Sequence, residues 1–225
     1  MNWYDTVLDL DRTAERHSYQ PGIVHETGLD IEFRTTVLPP EQVNDLPVQD
    51  KKEPKRVLVH SQFDITDPCY DTCLEQLREA AEKTDHHYFI FTKHPLSFVQ
   101  KPLFHRHNIW IGVSLSANSG LPFGAMELLQ AFPKNNWVWY IDMRFWSEEQ
   151  SFMIRPEIKW LILDCSEHHR IMHKSAPLPY LDSLIKQAEQ ENIPVFMSKR
   201  LTEIVPASMC RKTIPEKIEV RTKCI

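Results

Sequence analysis

Apolar and polar positions alternate along this chain in short blocks, which predict parallel strands separated by amphipathic helices. The strand candidates are nearly all apolar, and they recur from residue 57 onward. They are Val57–Val59, Tyr88–Phe91, Ile109–Val113, Trp137–Ile141, Trp160–Leu163 and Ile193–Met197. Strands that are apolar on both faces are typical of parallel sheets that are covered on both sides. The pattern therefore predicts an α/β fold with a parallel sheet.

The segments between these strands have the spacing of helices. In Tyr70–Lys83 the side chains of Cys73, Leu74, Leu77 and Ala81 fall on one helical face. Further helices are predicted from Pro95, around Phe123–Phe132 and over Tyr180–Glu191. Spacing alone fits an open, doubly wound sheet as well as it fits a (β/α) barrel.

The 225-residue chain has the length of a single domain. Residues 1–55 are polar and lack periodicity, although Ile31–Phe33 is a candidate for a short strand. We expect them to form an N-terminal extension with the first elements of the sheet, and residues 56–205 to form its core. Residues 206–225 are a basic tail with a last strand candidate at Ile218–Val220, and this tail is a candidate contact for nucleic acid.

The composition argues against several classes of function. Five glycines and the absence of GxGxxG and GxxxxGK[ST] patterns disfavour a glycine-rich phosphate loop. A net charge of -5 gives no general attraction to nucleic acid. No apolar run reaches membrane-spanning length, and the five cysteines are odd in number and lack a CxxC pair. We therefore expect a cytoplasmic protein with reduced thiols and no membrane partner.

Polar residues follow each of the apolar runs. Because the C-terminal ends of parallel strands meet at one edge of a sheet, we expect these residues to form a pocket there. Candidates for acid/base catalysis are Asp64, Asp142, Asp164 and Glu167. Candidates for ligand binding are Ser61, Gln62, Thr92, Lys93, Ser114, Ser198 and Lys199. The alternative is that these side chains are polar only because loops are, and that many of them face solvent.

Two specific sites are predicted within this group. Lys93 and Lys199 each follow a strand, so their ammonium groups would lie at the same end of the sheet and bind an anion such as phosphate. Alternatively, each lysine pairs with a nearby carboxylate, Asp142 or Asp164. A second hypothesis is a divalent-metal site in which His60 acts together with these aspartates.

The chain contains eleven histidines, and most of them are less suitable as ligands. His86, His87, His105 and His107 precede strands, so a barrel would place them at the opposite, N-terminal end. Paired histidines in a loop are more often solvated than bound to a metal.

Several segments resemble one protein family. The sequence HSQFD at residues 60–64 is similar to an Asn-Ser-Met-Ser-Asp element of that family. Thr92-Lys93 resembles its Leu-Thr-Lys-Arg-Pro element, and residues 112–114 match its Gly-Val-Ser element. The family is common in phages and prophages and resembles radical S-adenosylmethionine enzymes. The resemblance covers about residues 33–205 and implies a partial or complete (β/α) barrel of the TIM-like type.

The chain departs from this family where a cofactor would bind. Members have a cysteine triad just after the first barrel strand, but no cysteine precedes Cys69 here. Asp164–Glu167 replaces a Gly-Gly-Glu-Ser element whose glycines allow close approach to the cofactor, and Asp142 replaces a glutamate. The Cys69 and Cys73 pair is interpreted as part of a partly buried helix face. We therefore expect no iron–sulfur cluster and no other cofactor.

Two hypotheses of function follow from the residues and the resemblance. The first is a non-radical, phage-encoded barrel that binds a nucleotide-like small molecule or a host protein, with a role in counter-defence or host takeover. The second is a repurposed hydrolase or transferase that acts on a phosphate-containing substrate through metal or acid/base chemistry.

Overall fold

The computed structural model describes residues 4, 6–9, 37–38, 54–61, 64–116, 121–143, 153–165 and 178–215. Its strands are β1 (Thr6–Asp9), β2 (Val37–Leu38), β3 (Arg56–His60), β4 (His87–Thr92), β5 (Ile109–Ser116), β6 (Asn136–Asp142), β7 (Ile158–Asp164) and β8 (Val195–Met197). Its α-helices are α1 (Asp71–Lys83), α2 (Pro95–Phe98), α3 (Ala125–Ala131), α4 (Leu178–Gln190) and α5 (Lys199–Ile204).

All of these strands belong to one parallel sheet with the order β2-β1-β3-β4-β5-β6-β7-β8. Six of the parallel strands curl through 188° into a half-barrel, which confirms the predicted partial (β/α) barrel and excludes the flat, open alternative. Because the strands are parallel, their C-terminal ends lie together at one edge of the sheet, called here the C-terminal edge.

The elements differ from the prediction at both ends of the chain. Residues 1–55 were expected to hold the first elements of the sheet, but the positions of strands β1 and β2 were not predicted, and neither was helix α5. Strand β1 joins the sheet beside β3. Strand β8 begins at Val195 because the preceding Pro194 has no N–H to donate; its carbonyl accepts from Leu161 N at 3.0 Å. The strand candidates Ile31–Phe33 and Ile218–Val220 lie outside the described residues.

The helices cover one face of the sheet, called here the outer face. Alternate residues of the strands point to this face and pack against the apolar sides of α1, α3 and α4. In α1 the buried residues are Cys73, Leu74, Leu77, Ala80 and Ala81, which confirms the predicted helical face. This burial removes apolar surface from water and holds the helices on the sheet.

The opposite, inner face of the half-barrel is filled largely by aromatic side chains. The buried residues here are Tyr4, Leu58, Phe89, Phe91, Trp110, Val138, Tyr140, Trp160, Ile162 and Phe196. In a closed eight-stranded barrel, branched aliphatic residues from opposite walls fill the interior. A half-barrel lacks the opposite wall, so larger rings are needed to fill the same space. The rings of Phe89, Trp110 and Trp160 contact one another, with centroids 5.6–6.4 Å apart.

The segment after α5 folds back along the edge of β8. Lys212 bridges Phe196 in antiparallel orientation, with Met197 N donating to Arg211 O and Thr213 N donating to Val195 O, both at 2.9 Å. Trp160 Nε1 also donates to Thr213 O at 3.1 Å. Part of the predicted basic tail is therefore a structural element of the sheet, while residues 216–225 lie outside the described range.

The N-terminal edge carries His87, as predicted for a histidine that precedes a strand. Its Nδ1 accepts a hydrogen bond from Trp110 Nε1 at 3.1 Å. Burial, helped by the nearby His107, lowers the pKa of His87 from 6.5 to about 4. Nearby Asp85 acts in the opposite direction and His86 in the same one, but burial dominates.

We expect this histidine to make the protein sensitive to acid. The folded state binds the proton of His87 more weakly than the unfolded state does. The contribution of neutral His87 to the free energy of unfolding is therefore complete above pH 6.5 and is lost as the pH falls to about 4. Allowing for solvent screening of a partly exposed ring, the loss is about 2 kcal/mol. Urea denaturation should show that lowering the pH from 7 to 4 reduces the free energy of unfolding less in His87→Gln than in the wild type. Equal losses would contradict the prediction.

Candidate functional site

The inner face at the C-terminal edge brings together polar side chains from four strands. We call this set the mouth, and it consists of His60, Ser114, Asp142 and Asp164. Each lies at an inner-face position by strand alternation, above Leu58, Gly112, Tyr140 and Ile162 respectively. These four residues lie at the same edge because their strands are parallel members of one sheet, while their function stays a prediction.

The two aspartates of the mouth are adjacent. Asp142 and Asp164 are register partners on β6 and β7, so their backbones are about 4.8 Å apart. Asp142 is only 2% exposed, whereas Asp164 is half-buried. Paired carboxylates on one face can accept hydrogen bonds from a ligand or transfer a proton to it.

Asp164 is held by two hydrogen bonds. Tyr140 donates its hydroxyl hydrogen to Asp164 Oδ2 at 2.6 Å, and Cys165 N donates to Oδ1 at 2.7 Å. Tyr140 is fully buried. Sequence reasoning missed this tyrosine because it lies inside an apolar run and was interpreted as part of the core. The available signal was its position two residues before Asp142, which places both on the same face of β6.

The Asp64 carboxylate has a structural role within the chain. Its carboxylate accepts from Thr92 Oγ1 at 2.9 and 3.1 Å, from Lys93 N at 2.8 Å, and from the N and Oγ1 of Thr66 at 3.0 and 2.7 Å. These bonds fasten the loop after β3 to the end of β4. Thr92 is only 1% exposed and accepts from His94 N, so neither Asp64 nor Thr92 presents a free polar group to the mouth.

Lys93 and Lys199 both lie at the C-terminal edge, after different strands. They follow β4 and β8, which are four strands apart, so about 19 Å separates them along the sheet. Lys199 Nζ lies 3.9 Å from Glu203 Oε1 on the exposed surface of α5. Neither lysine forms an ion pair with Asp142 or Asp164 among the described residues. Binding of one anion by both ammonium groups stays a prediction.

Four other ligand or catalytic candidates have defined positions or fall outside the described residues. Ser198 is the N-cap of α5, where its hydroxyl oxygen accepts from Leu201 N at 3.4 Å. Ser61 is buried, with 3% exposure, directly after the mouth residue His60. Gln62 and Glu167 lie outside the described residues.

The described part of the chain contains no three His, Cys, Asp or Glu side chains grouped so as to hold one metal ion. His60 is 5% exposed at the mouth, and Asp64 is committed to Thr66 and β4. The hypothesis of a metal site built on His60 and the aspartates therefore receives no support from this part of the chain.

A separate polar cleft of about 660 Å³ lies between the start of α1 and the segment after α2. Asp71, Glu75 and Lys101 line it, and Lys101 Nζ pairs with Asp71 Oδ1 at 2.6 Å. None of the residues predicted for the functional site lines this cleft.

No protein-family model, curated protein or solved structure matches this chain. What is shown is the fold, a parallel sheet curled into a half-barrel with helices. This fold agrees with the partial barrel that the sequence resemblance implies, but it identifies no family. Among the described residues, every helix is too short or too polar to span a lipid bilayer.

Proposed function

We propose that this protein is a cluster-less half-barrel that binds a nucleotide-like small molecule at its mouth. The observation that carries the proposal is the pair of adjacent carboxylates, Asp142 and Asp164, at the C-terminal edge of the inner face. Carboxylate oxygens accept hydrogen bonds, so they suit the N–H groups of a nucleobase. In (β/α) barrels this edge is where ligands bind.

The surroundings of the carboxylates support the same class of ligand. The buried rings of Phe91 and Tyr140 give this part of the inner face an apolar floor, as is common in small-molecule sites. Lys93 is exposed two strands away from Asp142, within reach of a phosphate attached to such a base. The sequence itself supports the absence of a cluster, because it lacks the cysteine triad of the resembling family.

The second candidate function is an acid/base hydrolase or transferase acting on a phosphate-containing substrate. The adjacent carboxylates favour it, since one could act as an acid and the other as a base. Turnover of a nucleotide, rather than binding of the intact molecule, distinguishes it from the first proposal. A phage origin, a host-protein partner and a role in host takeover depend on the resemblance alone and remain predictions.

We expect Asp142→Asn to weaken ligand binding by about tenfold or more, because a hydrogen bond to a charged group is worth about 1.5–3 kcal/mol. The measurement is a thermal melt of the wild type against a panel of nucleobases, nucleosides and nucleotides, followed by calorimetry on the ligands that stabilise it. Asp182→Asn is the matched control, since Asp182 pairs with Lys186 on the surface of α4.

Three results would decide between the candidates. Equal affinities of the wild type and Asp142→Asn, or a panel in which nothing stabilises the wild type, would contradict binding at the mouth. Conversion of a bound nucleotide to product, lost in Asp142→Asn and kept in Asp182→Asn, would establish the hydrolase or transferase instead.

A further inference from the structure

Gly112 occupies a place on β5 where any side chain would collide with the Phe91 ring as it lies in this structure. A Cβ atom built there would lie 2.2 Å from Cδ1 and Cε1 of Phe91 and 2.8 Å from its Cγ. Real Cβ atoms essentially never come within 3.0 Å of a heavy atom of a residue that is not a chain neighbour. The φ of Gly112 is not positive, so its conformation does not require glycine. What requires glycine here is the space taken by the Phe91 ring.

The missing side chain lets Phe91 reach across a strand. Phe91 on β4, Gly112 on β5 and Val138 on β6 are register neighbours, and all lie at inner-face positions. The Phe91 ring lies over Gly112 and meets Tyr140 of β6 edge to face, with centroids 5.5 Å apart and planes at 73°. Strands β4 and β6 are thus in side-chain contact even though β5 lies between them.

A hydrogen bond links the Phe91–Tyr140 contact to the mouth. Tyr140 is fully buried, and its hydroxyl donates to Asp164 Oδ2 at 2.6 Å. The position of the Tyr140 ring, supported on one side by Phe91, therefore orients the Asp164 carboxylate together with the bond from Cys165 N. Gly112 sets the position of Phe91, so it also acts on Asp164, although it does not touch it.

We infer that Gly112 is a positioning residue for the mouth and acts on Asp164 through Phe91 and Tyr140. The inference deepens the proposed function, since it takes Asp164 to be one of the groups that contact the ligand. A methyl group at residue 112 displaces the Phe91 ring, which moves Tyr140 and turns the carboxylate. Removal of the Phe91 ring has a related effect, because Tyr140 loses its support.

The first test needs no ligand and follows the ¹³Cγ resonance of Asp164 in protein labelled at aspartate carboxyls, assigned with Asp164→Asn. Tyr140→Phe should move this resonance by removing the hydrogen bond, and Gly112→Ala should move it in the same direction. Because the added methyl and the lost ring compensate in volume, Gly112→Ala/Phe91→Leu should return it toward the wild-type position. The resonance of Asp182 on α4 should stay in place in every variant.

Other outcomes of this test would overturn the inference. If folded Gly112→Ala leaves the Asp164 resonance in place while Tyr140→Phe moves it, Gly112 has only a packing role. If Tyr140→Phe moves nothing, the hydrogen bond does not orient the carboxylate. If Gly112→Ala does not fold, Phe91→Leu with glycine retained still gives an answer, because it too should move the resonance.

The second test uses a nucleotide that stabilises the wild type. Gly112→Ala should bind it roughly tenfold more weakly, and the double variant should recover most of the affinity. Equal affinities of the wild type and Gly112→Ala would overturn the inference. If no nucleotide binds the wild type, the proposed function fails, and the carboxyl resonance alone decides whether Gly112 positions Asp164.

Discussion

Trp160→Ala is expected to lower the free energy of unfolding by about 3–5 kcal/mol, the range for emptying a buried aromatic site. Trp160 is fully buried on the inner face, in ring contact with Phe89, Trp110 and Phe196 at centroid distances of 5.6, 6.4 and 6.3 Å. Its loss would also leave Thr213 O without the hydrogen bond from the indole. The cavity would lie in the middle of the aromatic layer that replaces the missing wall of the barrel.

Urea denaturation of the purified variant measures this effect directly. Lys159→Ala is the matched control on the same strand, because Lys159 is exposed and its loss should change stability by less than about 0.5 kcal/mol. Trp160→Phe should fall between the two, since it keeps an aromatic ring but loses the indole N–H. A loss below about 1 kcal/mol for Trp160→Ala would mean that the inner face is not closely packed.

Leu163→Ala should lower the free energy of unfolding by about 2–5 kcal/mol. This second large effect concerns packing on the other, outer face of β7. Leu163 is fully buried in the outer core between the sheet and the helices. Its backbone carbonyl accepts from Ser198 N at 2.9 Å, a bond that the substitution leaves intact, so the effect reports side-chain packing.

The control for this variant is the same substitution at an exposed leucine. Leu96 on α2 is 43% exposed, and Leu96→Ala should cost much less than Leu163→Ala in the same denaturation experiment. A loss below about 0.5 kcal/mol for Leu163→Ala would show that β7 is not buried on both faces. Similar losses for both leucines would show that burial does not determine the cost.

The sheet could be predicted from the sequence because strands buried on both faces leave a simple pattern. Leu161, Ile162 and Leu163 are all fully buried, with the leucines in the outer core and Ile162 in the inner one, so the run contains no polar position. Strand β1 could not be found in this way. Only Val7 and Leu8 are apolar within Thr6–Asp9, and the strand depends on pairing with β3, about fifty residues later in the chain.

The mouth could be predicted only in part. Asp142 and Asp164 were found because each directly ends an apolar run, and parallel strands align such ends. The bond between Asp64 and Thr92 joins residues 28 positions apart, and no local pattern indicates it. Ser198 was interpreted as a ligand-binding residue, but serine before a short polar and apolar segment is equally the signal of a helix N-cap.

The pairing of residues 211–213 with β8 has a consequence for how this protein meets other chains. An exposed edge strand offers unpaired N–H and C=O groups, which can recruit a strand from another molecule and begin aggregation. At β8 two of these groups, Met197 N and Val195 O, are already bonded within the chain. A second polypeptide cannot extend the sheet at this edge without displacing that segment. Direct addition of a strand to β8 is therefore disfavoured while residues 211–213 stay in place.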